Sequence, residues 1–315
     1  MKRPHSIELF SSLTVLSILI ILYNTHSIFL IVSFFLISLL ILVLSGDTFF
    51  DNAVPMFREM GIGDMYAGTI FIGLASVLDE IALSVSSLIF HHPEIGIGAV
   101  EGSNFITMIF FTAIVALIYL KVVRSFMIDM TIIMALAVIS IGLSIVYNYI
   151  PWYLSTLLFV PFIIYVSVKA KGNRDPNDKD KQSYSAVLLI LAFVLIFISS
   201  DVLVRSTIEI ARYTGISAIA LSVYGIGLIS SLPEIIMILV SLLGGRKTVS
   251  MGIFTGSTVY KMSLIPGFIA LAEPTGFREV FYLLLAMLIM SSFVLTVGMI
   301  TGRKYRKKWI LIKPR

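Results

Sequence analysis

The sequence predicts an all-α integral membrane protein of about ten transmembrane helices, arranged as two repeats of inverted topology. Three observations predict it. The 315 residues are 58% hydrophobic and only 13% charged, more apolar surface than a water-facing shell can hide. The apolar residues fall into runs of roughly 20, the length that crosses a bilayer. The stretch 47–110 also recurs at a fixed offset of 154 residues without an insertion.

The spans lie at about 8–24, 28–46 (continuing as a helix to about 60), 65–90, 95–120, 126–147, 150–168, 184–212, 218–243, 249–271 and 280–301. Met1-Lys2-Arg3 ahead of the first run imitates a secretory leader. No small-residue cleavage site follows and a second run begins at once, so 9–24 reads as a retained span. The mixed-charge stretch from Lys169 to Ser183 is the one long polar interval and reads as a solvated linker between halves. The expected organisation is an extra N-terminal helix over 1–25, a first repeat over 26–168, a linker over 169–183, a second repeat over 184–301 and a basic tail over 302–315.

Lys and Arg near the span ends set orientation. Lys2, Arg3, Arg58, Lys121, Arg124, the linker, Arg246, Lys247 and the run Arg303-Lys304-Tyr305-Arg306-Lys307-Lys308 fall on one side. The other side receives His91-His92-Pro93-Glu94, Tyr147-Asn148 and Glu273-Pro274, with Arg212 and Arg278 as its positive charges. Both termini are therefore expected in the cytoplasm, with the chain in the cell membrane. The net charge of +5 then reflects topology, and nucleic acid is not an expected partner. The partners implied are the lipid bilayer and inorganic cations; no signal bears on oligomeric state.

The duplication is carried by residues that chance does not align. Asp47 recurs as Asp201, Arg58 as Arg212, Gly98 as Gly252, and Gly102-Ser103 as Gly256-Ser257. Ile72-Gly73-Leu74-Ala75-Ser76-Val77-Leu78-Asp79-Glu80-Ile81 recurs as Ile226-Gly227-Leu228-Ile229-Ser230-Ser231-Leu232-Pro233-Glu234-Ile235. Five spans separate each residue from its copy. An odd number sends the copies into the membrane from opposite sides, and the site of such a chain lies at the midplane where the copies meet.

Each copy carries an acid inside an apolar run, where a carboxylate is costly and is kept for pairing or ion handling. Ser76 precedes Glu80 by one helical turn, as Ser230 precedes Glu234, so hydroxyl and carboxylate share a face. In the next span of each half, Ser103 stands one turn before Thr107 and Ser257 one turn before Lys261. Oxygen-only ligation suits hard cations such as Na⁺ and Ca²⁺. Gly73, Gly227 and Pro233 loosen the helices and free carbonyls as further ligands. With no Cys, thiolate sites are excluded. The four His fall outside the apolar runs and read as loop residues. No nucleophile and base pair, nucleotide loop or metalloprotease motif appears, so the chain does not read as an enzyme, and no cofactor is implied.

At these residues the chain resembles the cation/Ca²⁺ exchanger superfamily, sodium/calcium exchanger type. Ser230-Ser231-Leu232-Pro233-Glu234 is similar to that family's Gly-Thr-Ser-x-Pro-Glu, and Gly102-Ser103-Asn104 to its Gly-Ser-Asn motif. The resemblance covers roughly 28–301, with acid motifs at 72–81 and 226–235 and Gly-Ser motifs at 102–107 and 256–261. It implies alternating access, with Glu80 and Glu234 as central cation ligands. Ser76, Ser230, Ser231, Ser103, Ser257 and Thr107 are the supporting oxygens it implies.

The departures are specific. Val77 replaces a Ser of the family pattern, Asp79 a Pro, and Lys261 an acid. An ammonium at 261 is within reach of Glu80 or Glu234, and pairing is nearly obligatory at that depth. It acts as a tethered cation, taking space and charge that a Na⁺ would otherwise hold. Burial and neighbouring carboxylates pull a lysine's proton affinity in opposite directions, so a change of partners can load and release a proton. The favoured expectation is a secondary-active antiporter, proton-coupled, for Ca²⁺ or another cation. The alternatives are conventional Na⁺/Ca²⁺ exchange and a non-transporting protein that keeps the fold for a structural or sensing role. Among the other charges, Asp201, Arg205 and Glu209 read as an ion-pair ladder. Glu101 reads as a partner of Lys261 or as lining of the ion's path. Asp79, pointing about 100° away from Glu80, reads as a gate or supporting acid.

Overall fold

The structure, a computed structural model, describes residues 27–59, 73–118, 124–169, 183–245 and 247–310. The first expected span, 8–24, lies outside them. The described elements are helical: α1 (Ile28–Glu59), α2 (Leu78–Ile89), α3 (Pro93–Ile118), α4 (Arg124–Val146), α5 (Trp152–Ser155), α6 (Phe159–Lys169), α7 (Ala186–Thr214), α8 (Ala218–Leu221), α9 (Gly227–Leu243), α10 (Lys247–Val259), α11 (Ile265–Ala272) and α12 (Phe281–Ile310). Seven runs among the described residues are long and apolar enough to cross a bilayer. In a bilayer the backbone must bond within itself, and helices satisfy that requirement.

The repeat seen in the sequence is a repeat of elements. Advanced by the 154-residue offset, Pro93–Ile118 falls on 247–272, which is the run from Lys247 to Ala272. The two long helices α1 and α7 correspond in the same way, and so do α2 and α9. α1 and α7 pack antiparallel, because Asn52 near the end of α1 accepts from the Ser185 backbone N–H, 2.8 Å away, at the start of α7. Ser185 also caps α7 by accepting from Leu188 N–H, and Gly215 ends it in the left-handed region at φ 73°.

Four spans are interrupted, each at a place that shapes the interior. The third breaks at Val77, whose φ of −127° and ψ of 20° leave the helix before α2 begins. Between α8 and α9 lies a π-helical turn, Ser222–Ile226, and between α10 and α11 another, Tyr260–Leu264. α3, the copy of the α10–α11 run, has no such turn. A π-turn inserts an extra residue into the helix and re-aims the side chains on it. The sixth span is broken by a 3₁₀ turn at Thr156–Leu158.

The last span was expected at 280–301; Phe281–Ile300 is long and apolar enough to cross a bilayer, and its helix α12 continues to Ile310. One expectation is corrected here: the ladder on α7 is cut. Arg205 Nε pairs with Asp201 at 3.1 Å, whereas Glu209 pairs with Arg212 at 2.9 Å. These pairs are partly exposed, and Arg205 covers the Phe90 ring at 4.3 Å.

The two halves meet through small residues, and the two crossings differ. A methyl group placed on Gly102 of α3 would stand 2.5 Å from the Val223 carbonyl oxygen, and one on Gly227 would stand 2.7 Å from the Ser103 backbone nitrogen. Backbone touches backbone there, closing the α3–α9 crossing. At the symmetry-related position, among the described residues, nothing lies within 4 Å of a methyl group on Gly252 and Gly256 meets only the Tyr165 hydroxyl at 3.5 Å. Both glycines border a cavity, so this side is open. Gly102→Ala is therefore expected to lower stability by about 1–3 kcal/mol through overpacking. Gly252→Ala is expected to be neutral or to gain up to about 1 kcal/mol from helix propensity. Thermal unfolding of the two purified variants in detergent measures the difference, and equal midpoints would refute the asymmetry.

Candidate ion-binding site

The open crossing is a cavity of about 510 Å³. Its wall includes Asp79 and Glu80 of α2, Ser230, Pro233 and Glu234 of α9, Ser257 of α10 and Lys261 of the π-turn. Gly46, Asp47 and Phe50 of α1 and Met237 of α9 also border it. These lie in the halves of α1 and α9 nearer the linker, so the cavity leads toward the linker end of the molecule. At the opposite end the α3–α9 glycine contact seals it.

Lys261 is the centre of the site. It is 1% exposed, and its Nζ lies 2.6 Å from Glu234 Oε2, 3.6 Å from Glu80 Oε1 and 3.1 Å from the Ser103 hydroxyl oxygen. An ammonium in such a place needs both charge and acceptors, and it finds two carboxylates and a hydroxyl. The π-turn matters because it swings Lys261 toward α2 and α9 while α10 holds Ser257 one turn earlier.

The two acids are not equivalent. Glu234 is saturated: Lys261 and Thr107 donate to Oε2, Thr107 at 3.3 Å, and Ser257 donates to Oε1. Thr107 shares its hydroxyl with the Ser103 carbonyl at 2.9 Å. Glu80 has the longer contact to Lys261 and lies beside Asp79, and its Oε2 is buried without a hydrogen-bond partner. Thus Glu80 keeps an oxygen free for a ligand. Ser76 and Ser230 face the cavity but donate to their own helices, at Gly73 O and Gly227 O. Pro233 has no N–H to offer the carbonyl of Ile229, four residues earlier, which loosens the wall there.

The structure thus brings together Glu80, Glu234, Lys261, Ser103, Ser257 and Thr107, with Ser76, Ser230 and Asp79 beside them. It does not bring Ser231 or Glu101 to the cavity wall. Ser231 is fully buried and donates to Leu228 O at 2.7 Å. Glu101 is 1% exposed and does not border the cavity. On α3 it lies well round the helix from Ser103 and Thr107, the residues that face the site. Among the described residues no group of three or more His, Asp or Glu side chains takes a metal-holding arrangement. Lys261 stands between the carboxylates instead.

Comparison with known proteins identifies the family and the fold. The model of the "Sodium/calcium exchanger protein" family matches residues 30–171 and 184–310. The chain belongs to that family. It is a cation/Ca²⁺ exchanger antiporter rather than an enzyme, and its cations are substrates, not cofactors. Among similar proteins, the putative antiporter CaxA of Alkalimonas amylolytica is 23% identical over 249 residues, covering 74% of this chain and 78% of that protein. Inner membrane protein YrbG of Escherichia coli K12 is 21% identical over 259 residues, covering 76% and 79%. Among solved structures, an H⁺/Ca²⁺ exchanger CAX aligns with a TM-score of 0.66 at 14% identity, covering 97% of this chain and 96% of that one. The sodium-calcium exchanger NCX_Mj aligns at 0.57 and 20%, covering 86% and 91%. The fold is shared with both.

Sequence reasoning passed over three residues of this exchanger. Tyr165 and Tyr260 border the cavity, and nothing in their apolar surroundings marked them. Asp129 did carry a signal, an acid inside the span 126–147. His91 and His92 sit in the α2–α3 turn, against Glu273 at 3.6 Å and Glu94 at 2.7 Å, as loop residues do.

The ion cluster yields a coupling expectation. Lys261→Met leaves two buried carboxylates facing each other and should cost about 3 kcal/mol or more. Adding Glu234→Gln removes one of those charges and should recover a large part. A double-mutant cycle on thermal unfolding reads the interaction, and strict additivity would show that the pair is not coupled.

Proposed function

We propose that this exchanger moves Ca²⁺ or another cation against protons, by alternating access at a midplane site of Glu80 and Glu234 with Lys261 as a tethered cation. One observation carries the reading: the Lys261 ammonium lies between Glu80 and Glu234, at 3.6 and 2.6 Å. Exchanging an acid for an ammonium at that position alters the charge of the pocket by two. The places a pair of Na⁺ ions would take are then occupied in part by the protein itself.

The remaining free carboxylate oxygen, Glu80 Oε2, is the donor offered to the transported cation, with Asp79 and the cavity hydroxyls beside it. When Lys261 trades one carboxylate for another during the cycle, its proton can be given up and regained. Solved exchangers of this fold include one titled for H⁺/Ca²⁺ and one for sodium-calcium exchange. The fold therefore leaves the coupling ion open and the side chains decide it. Following the Lys and Arg bias, we place the chain in the cell membrane with both termini and the linker in the cytoplasm. The cavity then faces inward.

Purified protein reconstituted in vesicles tests this. In sodium-free buffer a pH gradient is expected to drive Ca²⁺ across the membrane, and Glu80→Gln to abolish the flux. Lys261→Asp is expected to make the flux sodium-dependent. A native flux that requires sodium would refute proton coupling, and an unchanged flux in Glu80→Gln would refute the site.

A further inference from the structure

A second buried ion pair stands behind the cavity, in none of the duplicated motifs. Asp129 of α4 is 2% exposed. Its Oδ2 accepts from Lys169 Nζ at 2.6 Å and from the Thr255 hydroxyl at 3.0 Å, while Oδ1 is buried without a partner. Lys169 is the last residue of α6, and its ammonium lies 5.4 Å from the centre of the Tyr165 ring, one turn earlier. Tyr165 in turn reaches the cavity wall beside Gly256. Four residues from three helices thus converge on one point of α10.

That point is two residues before Ser257 and six before Lys261. On its cavity side α10 presents Gly252 and Gly256 to the cavity, and among the described residues a methyl group on the first meets nothing within 4 Å and one on the second only the Tyr165 hydroxyl. On its other side Phe254 stacks on Phe111, with ring centres 4.2 Å apart. Such apolar contact is non-directional and tolerates rotation and sliding. A hydrogen bond does not. The Thr255 hydroxyl bond to a carboxylate clamped by Lys169 therefore sets the register of α10. Ser250, bonded to Ile238 O at 3.1 Å, ties the linker end of the helix to α9.

We propose that Asp129 is a positioning residue for cation exchange. Through Thr255 it fixes the rotation and height of α10, and so the placement of Ser257 and Lys261 against Glu234. Lys169 holds the Asp129 carboxylate and the Tyr165 ring together, linking the last turn before the polar linker to the cavity wall. The consequence for transport rests on the proposed site; the placement of α10 does not.

The absence of cysteine from the chain allows both parts to be tested separately. Gly252→Cys places a thiol on the open wall of the cavity, and its rate of labelling by a water-soluble maleimide reports the setting of α10. Adding Thr255→Val, which deletes one hydroxyl and keeps the shape, is expected to change that rate roughly fivefold, the worth of one buried hydrogen bond. Thr255→Ser, which keeps the hydroxyl, is expected to leave it unchanged. In vesicles Thr255→Val is expected to raise the KM for Ca²⁺ by a similar factor, with Thr255→Ser again native. Labelling equal in Thr255→Val and the parent overturns the positioning role, whatever transport does. Altered labelling with an unaltered KM upholds it and overturns the assignment of Ser257 and Lys261 to the site. Thermal unfolding of each variant identifies a loss of fold, and Asp129→Asn, which keeps an acceptor for Thr255, separates the bond from the charge. Its labelling is expected to stay near the parent's; a change as large as that of Thr255→Val would refute the hydrogen bond as the link.

Discussion

An ammonium held between two carboxylates inside a membrane protein constrains every element around it. None of the three charges is tolerated alone at that depth, so the helices that bear them must meet. α2 brings Glu80, α9 brings Glu234, and the π-turn after α10 brings Lys261. α3 supplies Ser103 and Thr107 as the polar contacts that complete the cluster. Those hydroxyls reach the cluster only because α3 and α9 approach backbone to backbone at Gly102 and Gly227. Larger residues at that crossing would push Ser103 and Thr107 out of range. Packing and electrostatics are therefore one requirement here, with glycine serving charge pairing as much as close packing.

The same glycines explain why a symmetric sequence produces an asymmetric molecule. Gly98, Gly102 and Gly227 are in tight contact, whereas Gly252 and Gly256, the copies of the first two, border the cavity and make no such contact among the described residues. Gly73, the copy of Gly227, meets the Tyr260 ring instead of backbone. On the proposed reading, two crossings of nearly equal construction, one closed and one open, are the pair of states that alternating access requires. On that reading the Tyr260 ring, which meets Gly73, would have to leave it for the open crossing to close as its counterpart does, and Tyr260 is the neighbour of Lys261.

Much of this was legible in the chain itself. The offset of 154 residues revealed the inverted halves, and the helical spacing of Ser230 with Glu234 put hydroxyl and acid on one face; Ser76 and Glu80 reach the same cavity across the break at Val77. Lys261 was expected to reach the two acids, and it does. The residues that the structure places away from the cavity wall share a cause. Ser231 sits in a motif position whose direction depends on the rotation of α9, which the preceding π-turn and Pro233 alter. Glu101 lies in the right span but well round the helix from Ser103, and only packing against other helices reveals which face of a wholly buried helix looks inward. Tyr165 and Asp129 belong to no repeat, so a reading organised by symmetry had no reason to join them to the site.

On the proposed reading, the departure from symmetry at Lys261 also determines what an empty carrier can do. A pocket of three acids and no cation is too costly to seal from water, which forces exchangers to carry an ion in each direction. With two carboxylates and one resident ammonium, the empty pocket retains a single negative charge, or two when Asp79 is counted. One or two protons compensate that, where several Na⁺ ions would be needed otherwise. Thr107, the copy of Lys261, is neutral, so the ammonium travels only with the second half. It can change carboxylates during the cycle while remaining in the pocket. A cation that is covalently part of one repeat, and paired with acids from both, reduces the number of ions that must be brought from outside. That reduction follows from charge balance alone, whichever divalent or monovalent cation the free oxygen of Glu80 receives.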